Sequence, residues 1–194
     1  MLIYLNTKSG LLKIFLIGII QIIHFYPNPG FSQVNKNLLI TKTLNSKGHT
    51  SESLAYFEKN IPNPTNELLI EKGNALFLKG DIKSAANFYF EANNNNPQLA
   101  NYELARCYAT MNQPDLAIKY LTLHLKSKNR NMQSQIKSDK AFAGIDNTPE
   151  WKELWNFDWY SKYDLMYEDA WYEHSIGNDN EALAILNKLT EIRK

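Results

Sequence analysis

Cysteine is almost absent from this chain. Cys107 stands alone, so no disulfide can form within it. The neighbouring Leu104, Ala105 and Tyr108 indicate the core of a helix. We therefore expect a buried and inert thiol, because a reactive one needs exposure and a lowered pKa. No cysteine lies near the N-terminal apolar segment, so the sequence does not support a lipid-anchored bacterial lipoprotein.

Residues typical of catalytic and metal sites are sparse as well. Beyond the N-terminal segment, His49, His124 and His174 are widely separated and have neither a histidine four residues away nor a nearby cysteine. The sequence contains no phosphate-binding loop, no nucleophile elbow and no kinase-like set of motifs. Asp164 and Glu168 share a predicted helix face, which favours a solvated or groove-lining surface over acid–base chemistry. We therefore expect no enzyme activity, no metal and no cofactor.

An excess of charge of one sign is also missing. The chain has 21 basic and 20 acidic residues, and no basic stripe. Binding to nucleic acid depends on clustered lysine and arginine, so we expect no nucleic-acid partner. The hydrophobic fraction of 44% and the aromatic fraction of 12% are sufficient for a packed core.

The N-terminal segment 1–32 has the pattern of a signal peptide. An almost wholly apolar run at 11–25 is framed by Lys8 and Lys13 and is followed by Pro27, Asn28, Pro29 and Gly30, which we expect to break the helix. Small residues at positions 30 and 32 predict cleavage between Ser32 and Gln33, which would export the segment 33–194 to the periplasm or cell surface. The alternative is an uncleaved anchor, although the run is shorter than the roughly 20 residues that span a bilayer. Membrane contact would then involve this segment alone.

A regular spacing of turn-forming residues organises the rest of the chain. These residues recur at Gly48, Gly80, Asn112, Gly144 and Gly177. Each is expected to separate two short helices. A fixed period of this length is the mark of a repeat array, in which each unit buries its apolar face on its neighbours.

The clearest units are 66–97 and 98–129. The first has small, turn, small, aromatic, small and proline positions in order, at Gly73, Gly80, Ala85, Tyr89, Ala92 and Pro97. The second repeats the pattern at Ala105, Tyr108, Asn112, Ala117 and Leu121, with His124 at a place where we expect looser packing. Small residues allow two antiparallel helices to approach, and large ones fill the space beside them. The pattern resembles that of tetratricopeptide repeats.

This resemblance implies an all-α, right-handed α-solenoid of about five helix pairs. Weaker units are expected at 34–65 and at 163–194, where Ala170, Gly177 and Ala182 match the pattern. The slot at 130–162 has the right length but degenerate details. Within it we expect a helix over 131–143, and another from Pro149 to about Phe157 with Thr148 as its N-cap.

The resemblance also implies a function, because the first helix of each tetratricopeptide pair lines a concave groove. The positions that match this groove are Ile70, Asn74, Phe77, Tyr102, Arg106, Tyr167, Trp171 and His174. Asn74 and Arg106 have side chains suited to a carboxylate or a peptide backbone. The leading expectation is therefore an exported, non-enzymatic adaptor or scaffold that binds a protein or peptide.

Two other functions stay open. One is a structural subunit of an envelope assembly that uses edges or the convex face. The other is an enzyme accessory that holds a carbohydrate in a pocket rich in tryptophan, since all four tryptophans lie at Trp151, Trp155, Trp159 and Trp171. We favour core packing for this cluster, because Trp151 and Trp155 are four residues apart and share a helix face.

Overall fold

A computed structural model describes residues 29–192 of the chain. Most of the predicted signal peptide, including its apolar run, lies outside the described residues. The helix break predicted at 27–30 lies partly outside the described residues and stays a prediction, and within them Pro29 and Gly30 are the first two residues of the first helix. Proline is tolerated at this first helical position because it has no amide hydrogen to leave unpaired there.

The regular structure of residues 29–192 is entirely helical, as expected for the all-α class. One short 3₁₀ turn at Lys140–Phe142 interrupts the series of α-helices. The α-helices are α1 Pro29–Ser46, α2 Thr50–Asn60, α3 Asn66–Lys79, α4 Ile82–Asn95, α5 Asn101–Thr110, α6 Pro114–Leu125, α7 Gln133–Ser138, α8 Pro149–Leu154, α9 Lys162–Ser175 and α10 Asp179–Ile192. None of these helices is both long and apolar enough to cross a membrane.

The turns lie where the period predicts them. Gly48, Gly80 and Gly177 have φ angles of 75°, 89° and 85°, and Asn112 has a φ of 55°. Each separates the two helices of a pair, and glycine and asparagine are the residues that adopt this left-handed conformation most readily. Gly144 differs, because it lies in the irregular turn between the 3₁₀ segment and α8 without a positive φ.

Small residues hold the pair α3–α4 together. Gly73 on α3 faces Tyr89 on α4 so closely that a Cβ atom at Gly73 would lie 2.5 Å from Tyr89 Cε1. The ring of Tyr89 is fully buried, and its hydroxyl donates to Asn74 Oδ1 at 2.8 Å. The predicted small positions Ala85 and Ala92 are also fully buried. The close approach of α3 and α4 therefore depends on the missing side chain at Gly73.

The hydrophobic core continues from α3–α4 through α5–α6 to the segment around α8. One cluster joins α3 and α4 to Leu104 and Cys107 of α5, and another joins α5 and α6 to Phe142, Ile145 and Trp151. The other predicted small positions, Ala105, Ala117, Ala170 and Ala182, are buried. Tyr108 is half-buried and stacks on Tyr120 with ring centroids 5.4 Å apart, while Pro97 follows the end of α4.

The degenerate slot departs from the predicted helices. The helix expected over 131–143 is wrong, because α7 ends at Ser138 and Asp139 takes an extended ψ of 117°. The Asp139 side chain accepts from the amide of Ala141 and so begins the 3₁₀ segment. Thr148 and Pro149 open α8 as predicted, but this helix ends at Leu154 rather than near Phe157.

The packing at His124 is also not loose as expected. The side chain is buried, its Nε2 accepts from the amide of Asn131, and its ring lies 5.0 Å from that of Tyr102. Burial lowers the pKa of His124. A neutral imidazole therefore acts as a hydrogen-bond acceptor at the position where we expected looser packing.

Polar contacts connect the last helix pair, α9–α10, to the preceding segment. The carboxylate of Glu168 accepts from the amides of Gln133 and Ser134 at the start of α7. Arg130 pairs with Asp164 at 3.1 Å. Hydrogen bonds from the amide and hydroxyl of Ser161, more than the ion pair with Arg130, hold the pKa of Asp164 below its usual value.

Candidate partner-binding sites

A cleft of about 550 Å³ lies between α1, α3 and α5. We call it the amino-terminal cleft. Three of the predicted groove residues, Asn74, Phe77 and Arg106, line it together. The other lining residues are Lys42, Asn45, Ser46, Glu71 and Leu78. The cleft thus combines cationic, acidic, amide and apolar side chains contributed by the first helices of three successive pairs.

Arg106 is held in place by contacts within the chain. Its guanidinium lies 4.4 Å above the ring of Phe77, and its Nε lies 2.8 Å from Asp139 Oδ2. The same carboxylate oxygen accepts from the hydroxyl of Tyr102 at 2.8 Å. Burial and this hydrogen bond raise the pKa of Tyr102, which keeps its hydroxyl protonated as a donor. Arg106 therefore already holds a carboxylate, that of Asp139.

Two other predicted groove residues lie outside the amino-terminal cleft. Ile70 is half-buried and packs against the core cluster of α3 and α4. Tyr102 is half-buried as well, next to His124, and both line a different depression of about 640 Å³ near the loops that follow α4 and α6. The structure thus brings Asn74, Phe77 and Arg106 together, and places Ile70 and Tyr102 beside them rather than in the same cleft.

Asn45 is a cleft residue that the sequence reasoning missed. Its side chain is only 7% exposed, and its amide nitrogen donates to both the backbone oxygen and Oε2 of Glu71, at 2.8 and 2.9 Å. Its Oδ1 is buried without a hydrogen-bond partner among the described residues. Asn37, Thr41 and Asn45 are all buried and follow each other at intervals of four. This spacing places the three polar side chains on one helix face, and the sequence pattern could therefore have indicated a polar face on α1.

The remaining predicted groove residues form a second site on the last helix pair. Tyr167, Trp171 and His174 of α9 line a pocket of about 450 Å³, together with Leu183 and Leu186 of α10. Trp171 and both leucines are exposed. His174 Nδ1 lies 2.7 Å from Asp179 Oδ1 at one side of this pocket. We call this surface the terminal pocket.

Most of the tryptophan cluster belongs to the core. Trp151 is buried, and its ring meets that of Trp155 edge-on at 5.7 Å. The indole of Trp159 donates to the backbone oxygen of Leu154 at 2.7 Å. Trp171 differs, since it is exposed in the terminal pocket. A stacking surface for a carbohydrate would therefore have to be built around Trp171.

Within residues 29–192, no three histidine, cysteine or acidic side chains lie close enough together to hold a metal ion. Cys107 is fully buried, and burial raises the pKa of its thiol to about 12.

Comparisons of the chain with protein-family models, with curated proteins and with solved structures found no match.

Proposed function

We propose that this chain is a non-enzymatic adaptor or scaffold that binds a protein or peptide partner in the amino-terminal cleft. The observation that carries the proposal is the composition of that cleft. Lys42 supplies positive charge and Asn74 a side-chain amide beside the apolar Phe77 and Leu78, and the guanidinium of Arg106, paired with Asp139, forms part of the wall. Ligand-binding sites commonly combine such apolar contacts with a small number of placed polar groups.

The fold supports a binding role of this kind. In our proposal the helix pairs form a right-handed tetratricopeptide-like solenoid. Evenly spaced turns at Gly48, Gly80 and Asn112, and core clusters that continue from pair to pair, support such an arrangement. Stacked helix pairs present extended surfaces that repeat proteins use for binding.

The exposed side chains of the cleft suggest what the partner supplies. Leu78 is 57% exposed and suits an apolar side chain of the partner. Lys42 is exposed at the rim and suits a carboxylate. We propose that the chain acts after export, at the periplasm or cell surface, as the N-terminal segment suggests.

The test is site-specific photocrosslinking in native cells. A photoreactive residue replaces Leu78, which is exposed in the cleft, and the control replaces Leu116, which is exposed on α6 and does not line it. We expect one partner to crosslink at position 78 and not at 116. Crosslinking of the same partner at both positions would contradict cleft binding. A whole complex recovered equally from both would favour a structural subunit of an assembly.

A further inference from the structure

We infer that the terminal pocket is a second binding surface, independent of the amino-terminal cleft, and that its occupant is a basic amphipathic helix of a partner protein. The pocket is apolar and open to solvent. Trp171 is 53% exposed, Leu183 58% and Leu186 39%. Three large apolar side chains around one depression form a surface that soluble proteins commonly use for association.

The repeat period shows which other residues occupy the same positions. Counted from the turn residue of each pair, Leu183 corresponds to Ala86, which is 8% exposed, and to Ile118, which is half-buried. Leu186 corresponds to Tyr89 and to Leu121, both of which are 0% exposed. Positions that are buried or half-buried in the inner helix pairs are therefore exposed on α9–α10.

A following helical segment closes the inner positions. Tyr89 packs in one cluster with Leu104 and Cys107 of α5, and Leu121 packs with Ile136 of α7 and Trp151 of α8. Among residues 29–192, no segment covers the equivalent face of α9–α10. The shape that fits this face is therefore another helix. Because α9 and α10 have 14 residues each, the complementary helix is about 21 Å long.

The negative charge of the last helix pair favours a basic helix as its partner. Residues 162–194 contain seven acidic residues, three lysines and one arginine, a net charge of −3 with histidine neutral. Asp164 and Glu168 face Arg130 and the start of α7. Asp179 lies at the pocket itself with its side chain 75% exposed. A second copy that presented this same surface would bring the same negative charge, so electrostatic complementarity favours a different, basic partner.

The experiment uses a fluorescent synthetic peptide of about 18 residues, with leucines spaced to form one helix face and lysine and arginine on the other. Its binding to the full chain is followed by fluorescence anisotropy. A matched peptide carries glutamate in place of every basic residue. We expect binding of the basic peptide alone, with an affinity that falls as salt is added.

Variants locate the binding surface. Trp171→Gln and Leu183→Gln should each lower the affinity for the basic peptide about tenfold or more. The matched control is Tyr172→Gln, because Tyr172 neighbours Trp171 and is 62% exposed but does not line the pocket. This control and the cleft variant Lys42→Glu should bind the peptide as the wild type does. Failure of the cleft proposal would leave these results unchanged.

Three results would overturn the inference. Equal affinity for the acidic and basic peptides would remove the charge argument. Unchanged affinity in both Trp171→Gln and Leu183→Gln would place binding elsewhere. Concentration-dependent dimers of the wild type that Leu183→Gln abolishes, measured by analytical ultracentrifugation, would show that a second copy covers the surface.

Discussion

Replacing Gly73 by alanine should destabilise the protein, although alanine is normally the better helix former. In an exposed helix interior this exchange gains about 1 kcal/mol of helix propensity. Here the new Cβ would lie 2.5, 2.8 and 2.9 Å from three atoms of the Tyr89 ring. Because that ring is fully buried and hydrogen-bonded to Asn74, it has little room to move.

The sum of the opposing free-energy terms decides whether Gly73→Ala stabilises or destabilises the fold. Overpacking a close helix contact costs about 1–3 kcal/mol or more. Displacing the Tyr89 hydroxyl from Asn74 adds about 1 kcal/mol. We expect a net loss of about 1–3 kcal/mol, which lowers Tm by roughly 2–4 °C per kcal/mol for a domain of this size. Gly73→Leu should lose more.

Urea unfolding followed by circular dichroism measures the difference. The matched control is Gly144→Ala, since a Cβ there would meet nothing within 4 Å and its φ is not positive. This control should be neutral or slightly stabilising. If Gly73→Ala were as stable as Gly144→Ala, the proposed contact between α3 and α4 would be wrong.

Three further predictions concern polar and buried side chains. Because burial lowers the pKa of His124, the unfolded state binds the proton more readily, and the free energy of unfolding should fall as pH drops below about 6.5. Urea unfolding of the wild type and of His124→Gln at pH 5 and 7.5 should show that the variant loses part of this pH dependence. Asp139→Ala should lower the free energy of unfolding by about 1–3 kcal/mol in the same assay, because it leaves the half-buried Arg106 without its ion pair. A free energy of unfolding equal to that of the wild type would show that this ion pair does not stabilise the fold. Cys107 should react with a thiol reagent at the rate of global unfolding, and fast labelling of the native protein would contradict its burial.

Local sequence signals were sufficient for much of the fold. Glycine and asparagine marked the turns because these residues adopt positive φ most readily, and they do so at Gly80 and Asn112. The small residues predicted at helix crossings, Gly73 and Ala85, are buried there. These features depend on a few neighbouring residues, so a single sequence reveals them.

Contacts between distant residues could not be read in the same way. Asp139 ends a helix that its local sequence would continue, and its partners Tyr102 and Arg106 lie far earlier in the chain, on α5. The sequence position of Arg106 predicts a groove residue, but its carboxylate partner Asp139 lies far along the chain and cannot be identified from the local sequence. The bond between Asn45 and Glu71 joins two different helices, α1 and α3, and also required the fold.

Equilibrium binding of the captured partner tests the central claim most directly. Purified partner is titrated into wild type, Lys42→Glu and Lys36→Glu, two charge reversals of exposed lysines on α1 of which only position 42 lines the cleft. The cleft account predicts about tenfold weaker binding or more for Lys42→Glu, with Lys36→Glu close to wild type. Equal affinities for all three proteins would contradict it.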